Sequence, residues 1–315
     1  MQEKKVCVLG GSGFMGSAIV AKLAKAGYAV TVLTRHRDKA KHLLLLPKVS
    51  VVECQVFNKQ ALMSSLAGAD AVINLIGILH QSTRLSFNTA HHQLPEQLAN
   101  LCADLGIKRL LHMSSLRASG HAPSQYLRSK AAGEKALTEF NHKLDITVFQ
   151  PSIIFGRGDR LTNLFATLVK CLPVVLLAKP NAKFQPIWVE DVASCFVESL
   201  ENTATFGKTY ALVGPKVYTF RALVQQVMAI LGVQRPIIGL NDTFSMAQAF
   251  LMELLPIKLM SRDNIRSMQV SSVSDYDFSK DFCIQRASLE AVMPDYLVDA
   301  NARGAYDAFR RHAAR

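Results

Sequence analysis

Residues 5–16 read Lys-Val-Cys-Val-Leu-Gly-Gly-Ser-Gly-Phe-Met-Gly. A short apolar strand, Lys5–Leu9, runs straight into glycines at 10, 13 and 16. A helical stretch follows to about Ala26 and is closed by Gly27. This spacing has a physical meaning. Gly10 permits a tight turn, Gly13 lets a pyrophosphate approach the backbone, and Gly16 lets the new helix pack close to the strand. The N–H groups near Ser12, Phe14 and Met15, with the helix dipole, then suit a diphosphate.

The rhythm begun there continues. Short apolar strands are expected at Tyr28–Leu33, Val49–Glu53, Ala71–Leu75, Arg109–Met113 and Ile146–Gln150, with helices between them such as Thr89–Leu105 and Ser124–Phe140. Strands alternating with amphipathic helices predict an α/β fold, a Rossmann doubly wound parallel sheet covered on both faces. Past residue 150 the rhythm loosens. Leu161–Leu172, Val189–Leu200 and Tyr218–Leu231 read as helices, the last near a Thr cap, and residues 240–315 as mostly helical. The expected division is a nucleotide-binding domain over residues 1–200 and a smaller, mostly helical lid over 201–315, with part of 155–187 contributing to the lid.

Composition narrows the function classes. Half of the 315 residues are hydrophobic and 19% are charged, so a sizeable core is available. The longest apolar clusters, 171–178 and 249–255, are too short to span a bilayer. No secretory signal pattern opens the chain. Cysteines at 7, 54, 102, 171, 195 and 283 form no CxxC pair, which favours a reducing compartment over a disulfide or zinc framework. A cytoplasmic chain is expected, peripheral to the membrane face at most. Net charge is +12, and residues 1–150 carry most of it, with 18 Lys+Arg against 9 Asp+Glu. That excess lies where an anionic ligand is expected. No nucleic-acid motif or basic–aromatic stretch accompanies it.

The end of the second strand selects the dinucleotide. NAD sites carry an acid there for the ribose hydroxyls. This chain has Thr34-Arg35-His36-Arg37, and Arg35 and Arg37 suit a 2′-phosphate. NADP(H) is favoured, with NAD(H) the alternative. Gln55 is placed at the adenine edge, and Leu75 and Gly77 along the adenine-ribose side.

Ser114-Ser115 follow the fifth strand, and Tyr126 and Lys130 lie four apart on the next helix, hence on one face. A lysine ammonium beside a phenol lowers the phenol pKa, so that it exchanges a proton with a substrate oxygen that Ser115 also holds. Tyr276 and Lys280 share the spacing without the setting, and are read as chance.

These residues resemble the short-chain dehydrogenase/reductase superfamily in its extended or atypical, NAD-dependent epimerase/dehydratase-like branch. The carriers are Gly10–Gly16, the Ser115, Tyr126 and Lys130 set, Gln150–Gly156, and Phe184–Val192. Tyr126–Lys135 (YLRSKAAGEK) and Pro151–Arg160 (PSIIFGRGDR) are most similar to the nucleotide-binding accessory subunit family of respiratory complex I and its bacterial relatives. The resemblance implies cofactor contacts from Gly10, Gly13, Gly16, Arg35, Lys130, Pro151, Ser152 and Ile153. It also frames two functions. One is an oxidoreductase or epimerase moving a hydride to or from a carbinol or carbonyl carbon of a small, lipophilic or quinone-related substrate. The other is a non-catalytic, nucleotide-bound assembly or stabilising factor of a respiratory membrane complex. Gln55 departs from the acid common in the family.

Other candidates read as structural. His80, His91 and His92 lack carboxylate or thiolate partners at ligand spacing, so no metal is expected and a helix-surface role is assigned. Glu190 and Asp191 are read as helix-start residues. Phe244–Met260 fits a core helix, a cover for an apolar substrate, or an interfacial helix. Arg310, Arg311, His312 and Arg315 are read as a solvated basic face.

Overall fold

Val6, Cys7, Val8 and Leu9 are each at most 1% exposed, as a strand covered on both faces requires. The computed structural model describes residues 4–83, 85–255 and 259–298. In chain order the strands are β1 (Lys5–Leu9), β2 (Ala29–Thr34), β3 (Val49–Glu53), β4 (Ala71–Asn74), β5 (Arg109–Met113), β6 (Asp145–Pro151), β7 (Ile154–Phe155), β8 (Val175–Ala178), β9 (Lys183–Phe184), β10 (Ile187–Trp188), β11 (Lys208–Leu212), β12 (Tyr218–Thr219) and β13 (Ile237–Leu240). The α-helices are α1 (Phe14–Lys25), α2 (Lys59–Leu66), α3 (Leu94–Leu105), α4 (Gln125–Thr138), α5 (Arg160–Cys171), α6 (Val189–Ser199), α7 (Phe220–Leu231), α8 (Asp242–Glu253), α9 (Arg262–Ser267) and α10 (Leu289–Leu297).

The chain divides into two interleaved compact units. The first holds the described residues to Pro151, with Val189–Leu212 and Asp275–Ile284; the second holds Ser152–Trp188, Val213–Ser274 and the described residues from Gln285 on. The segment 155–187, part of which was expected in the lid, falls in the second unit, whereas residues 201–212 and 275–284, also expected in the lid, fall in the first. Lys208–Leu212, expected in the lid, instead pairs in parallel with β6 as an edge strand, burying Tyr210 and Leu212.

In the first unit seven strands run in the order β11-β6-β5-β4-β1-β2-β3, all parallel. This is the doubly wound arrangement, reversing direction beside β1. Leu62, Leu98, Leu101 and Leu137 bring α2, α3 and α4 onto one face, against Cys7, Leu9, Val72, Leu110 and Ile146. On α1 and α6 the residues Ile19, Leu23, Val192 and Phe196 are buried, and Lys22 pairs with Glu190 at 3.1 Å. Glu190 and Asp191 fall in the first turn of α6. Arg109 is buried at the start of β5 and donates to the carbonyls of Ser199 and Asp145 and the hydroxyls of Thr147 and Thr205.

The second unit is cored by Phe155, Phe165, Phe184, Phe220, Val224, Leu289 and Met293. Thr219 caps α7 by accepting from the Ala222 N–H at 3.1 Å. Residues 268–288 are largely irregular, so the expectation of helix there fails. No described helix is long and apolar enough to cross a membrane. The basic residues 310–315 lie outside the described residues.

Candidate functional site

The sheet register brings the sequence motifs to one edge. Leu9 is level with Leu33 and Asn74, Asn74 with His112, and Met113 with Phe149. The glycine loop, Arg35, the 75–78 loop and Ser114-Ser115 therefore all leave the carboxyl ends of adjacent strands, where open α/β sheets bind ligands.

Gly10 has φ +80°, a left-handed value that favours glycine. Gly13 stands at the N-cap of α1 and donates to the Gly10 carbonyl at 3.1 Å. No side chain caps this helix, and its first turn carries no acid. A Cβ on Gly16 would lie 2.5 Å from Gly11 Cα and 2.7 Å from Gly11 C, so the loop folds directly over the first helical turn. Uncapped N–H groups under a glycine-rich turn whose one side chain is the small Ser12 fit a diphosphate on both chemistry and space. Ser12 lies beside Thr34, with the hydroxyls 3.5 Å apart. Phe14 is partly exposed, whereas Met15 is buried and offers this edge its backbone alone.

Beyond β2, Arg35 and Arg37 are exposed, while the nearest acid, Asp38, pairs with Lys41 at 2.6 Å. Gln55 is exposed just past β3. The 75–78 loop is clamped. Leu75 N–H donates to Leu9 O at 3.0 Å, Ile76 N–H to Asn74 Oδ1 at 3.1 Å, and Ile78 N–H to His91 Nε2 at 3.0 Å. Asn74 thereby braces the loop from within, and its Nδ2 lies 3.1 Å from His112 Nδ1.

Ser124 caps α4, accepting from Leu127 N–H, and so fixes where Tyr126 and Lys130 emerge. The Ser115 hydroxyl lies by the Tyr126 phenol and favours its ionised form. Lys130 is buried; its Nζ donates to the Met113 carbonyl at 3.0 Å and lies against Gly77, where a Cβ would come within 3.2 Å of it. Burial pulls the Lys130 ammonium down to about 8, while Glu134 one turn on acts in the opposite sense. Burial also pushes the Tyr126 phenol up, and Ser115 only partly offsets this. The sequence argument expected the reverse shift from Lys130, whose ammonium is instead held by the end of β5. Glu134 accepts two bonds from Gln150 Nε2, at 2.8 and 2.9 Å.

His91 corrects the helix-surface assignment. It is 0% exposed, on a π-helical turn (Thr89–Gln93) that leads into α3. Its ring stacks on Phe87 at 5.4 Å and meets Tyr126 edge-on at 5.4 Å. With Nε2 accepting from Ile78, Nδ1 carries the proton and donates to Ser129 Oγ at 2.8 Å; Ser129 in turn donates to the Tyr126 carbonyl at 2.7 Å. Burial and the nearby Lys130 charge hold this imidazole neutral, its pKa lowered to about 3. Gly133 makes room for the turn, since a Cβ there would strike the His91 carbonyl oxygen. A lone glycine in YLRSKAAGEK was the available signal for this packing. His92 does lie at the surface, near Asn88 and Glu96.

A consequence is acid sensitivity. Burial lowers the folded-state value of both His91 and His112. Below about 6.5 the unfolded chain takes protons that the native state refuses, so stability is intact above that pH and falls as pH drops toward about 3. Each histidine contributes a slope of up to about 1.4 kcal/mol per pH unit. Urea unfolding across this range should show the decline, and His91→Gln should flatten it. An unchanged slope in that variant would contradict the assignment.

Pro151 ends β6 and its carbonyl accepts from Leu116 N–H at 2.9 Å. Ser152 and Ile153 belong to the second compact unit, where the Ser152 hydroxyl donates to the Ser272 carbonyl at 2.9 Å. Ile153 packs among Phe155, Phe165 and Phe220, leaving only about 10 Å³ of apolar free space. Tyr276 and Lys280 share no helix, and Tyr276 donates to Asp281.

The chain is 36% identical over 227 residues to NADH dehydrogenase [ubiquinone] 1 alpha subcomplex subunit 9, mitochondrial, of Arabidopsis thaliana, covering 69% of this chain and 56% of that protein. It thus spans little more than half the length of that relative. It is 27% identical over 237 residues to the ceramide reductase of Caulobacter vibrioides, covering 75% and 74%. In fold it is similar to DesIV, a dTDP-glucose 4,6-dehydratase from Streptomyces venezuelae solved with NAD, at a TM-score of 0.74 and 18% identity over 93% of this chain and 95% of that one. The profile of the NAD dependent epimerase/dehydratase family matches residues 6–212, the span that holds the glycine loop and the serine, tyrosine and lysine set; the chain belongs to that family.

Proposed function

We propose that this protein binds NADP(H) at the carboxyl edge of its sheet and reduces or epimerises a small, lipophilic or quinone-related carbonyl or carbinol compound. Gly10, Gly13 and Gly16 with the N–H groups at Phe14 and Met15 would hold the diphosphate; Arg35 and Arg37 the 2′-phosphate; Gln55, Leu75 and Gly77 the adenosine side; Lys130 the nicotinamide ribose. Ser12 and Pro151 complete the proposed set. The bound nicotinamide supplies or accepts the hydride. Tyr126, carrying its proton at neutral pH, donates it to the substrate oxygen that Ser115 orients, and Lys130 keeps positive charge near that oxygen as it develops negative charge.

The observation that carries this reading is Ser115 standing by Tyr126, one helical turn before the buried Lys130. A second reading, a nucleotide-bound stabilising factor of a respiratory membrane complex, is supported by the likeness to the mitochondrial subunit. One experiment separates them. NADPH oxidation should occur with some carbonyl or quinone in a substrate panel, and Tyr126→Phe should lower the rate by roughly 10²–10⁴-fold, the usual share of general acid catalysis, with NADPH affinity unchanged. Tight NADPH binding with no turnover across the panel, and a fully competent Tyr126→Phe, would select the second reading.

A further inference from the structure

Helix α8 is built inside out. Ser245 and Ala249 are its buried residues, each 0% exposed. Its large apolar side chains point the other way: Phe244 is 63% exposed, Phe250 46% and Leu251 63%, and Leu254 just past the helix is 69% exposed. The core reading of this segment is therefore corrected. A water-facing helix usually shows the opposite pattern, with the large apolar stripe inward.

The apolar surface continues beyond the helix. Gln248 Nε2 donates to the Leu176 carbonyl at 3.2 Å, which ties α8 to β8. On the parallel pair β8–β13, Leu176 and Ile238 stand in register, and both are more than half exposed. Large apolar side chains exposed together in this way mark an interaction site.

Charge and composition select the occupant. The surface is Leu, Ile and Phe, without the Tyr or Trp anchors that are enriched in protein interfaces. Both carboxylates of α8 are matched within the unit, Asp242 by Lys179 at 2.7 Å and Glu253 by Arg262 at 2.9 Å. The Arg262 guanidinium lies 5.2 Å from the Phe250 ring centre, and Arg266 is exposed on the adjoining α9. A chain of net charge +12 is drawn to an anionic surface and repelled by a second copy of itself.

We propose that α8, with the outer face of β8–β13, lies in the interface of an anionic phospholipid bilayer, its Phe and Leu side chains in the acyl boundary and Arg262 and Arg266 at the headgroups. The same physics describes interfacial amphipathic helices. This surface is distinct from the nucleotide edge, and the proposal stands whether or not that edge is catalytic.

The test is flotation of the full-length protein with phosphatidylglycerol–phosphatidylcholine vesicles and with pure phosphatidylcholine vesicles. The wild type should float with the anionic vesicles, more weakly at high salt and more weakly with the neutral ones. The double variant Leu251→Gln, Leu254→Gln should lose at least about tenfold in partitioning. Its melting temperature and NADPH affinity should match the wild type, because both side chains face away from the core. Phe244→Ser provides a second, independent variant with the same expectation. No flotation of the wild type, or equal flotation of the variants, overturns the proposal. So does a dimer that forms without vesicles and dissociates on the double substitution, since a second copy would then cover the face.

Discussion

Gly16→Val should eliminate nucleotide binding. The first atom of the new side chain falls inside the Gly11 backbone, 2.5 Å from Cα and 2.7 Å from the carbonyl carbon. Backbone cannot swing away as a flexible side chain would, so either the loop lifts off α1 or the helix shifts. Either movement takes the uncapped N–H groups of α1 out of line with the loop that faces them. Losing about 3 kcal/mol of diphosphate binding is about a hundredfold in Kd, and a displaced loop should cost at least that. Calorimetric titration with NADPH should give no measurable heat, and the nucleotide should no longer raise the melting temperature. Wild-type affinity in this variant would show that the loop is an ordinary turn.

Gly133→Ala should destabilise the fold, although the same change in an exposed helix interior stabilises by up to about 1 kcal/mol. The sign reverses because α4 touches the π-helical turn at this residue. An added methyl would strike the His91 carbonyl oxygen and come within 3.1 Å of its carbon and 3.5 Å of Pro95 Cγ. Overpacking of this kind costs about 1–3 kcal/mol. It should also loosen the chain of bonds from Ile78 through His91 and Ser129 to Tyr126, and so weaken NADPH binding. Urea unfolding and nucleotide titration of one preparation would measure both effects; a stability gain would refute the packing described.

The contrast between these glycines shows what the sequence made legible. Gly16 announces itself, because strand, turn and helix are continuous in the chain and each obeys a local rule. The strands β1, β2, β4, β5 and β6 were legible for the same reason, their apolar runs being largely buried, and the edge strand β3 by its short valine run. Gly133 matters because of a carbonyl some forty residues away, and no local pattern encodes that contact. His91 was misassigned similarly: read locally it sits on a helix, yet a widened turn rotates it inward between Phe87 and Tyr126. The tyrosine–lysine spacing correctly placed both residues on one face of α4. It could not show that Met113 holds the Lys130 ammonium, nor that burial dominates the phenol. Lys208–Leu212 escaped because an edge strand with alternating burial lacks the continuous apolar run of its neighbours. Phe244–Leu255 was undecidable in sequence, since large apolar residues at helical spacing look the same whether they face inward or outward.

The most direct measurement of the central claim is a titration of purified protein with NADPH, and separately with NADH, followed by tryptophan fluorescence or calorimetry. The account predicts one nucleotide per chain, bound more tightly as NADPH because Arg35 and Arg37 stand free of Asp38, which Lys41 neutralises. Absence of binding by either nucleotide would contradict it.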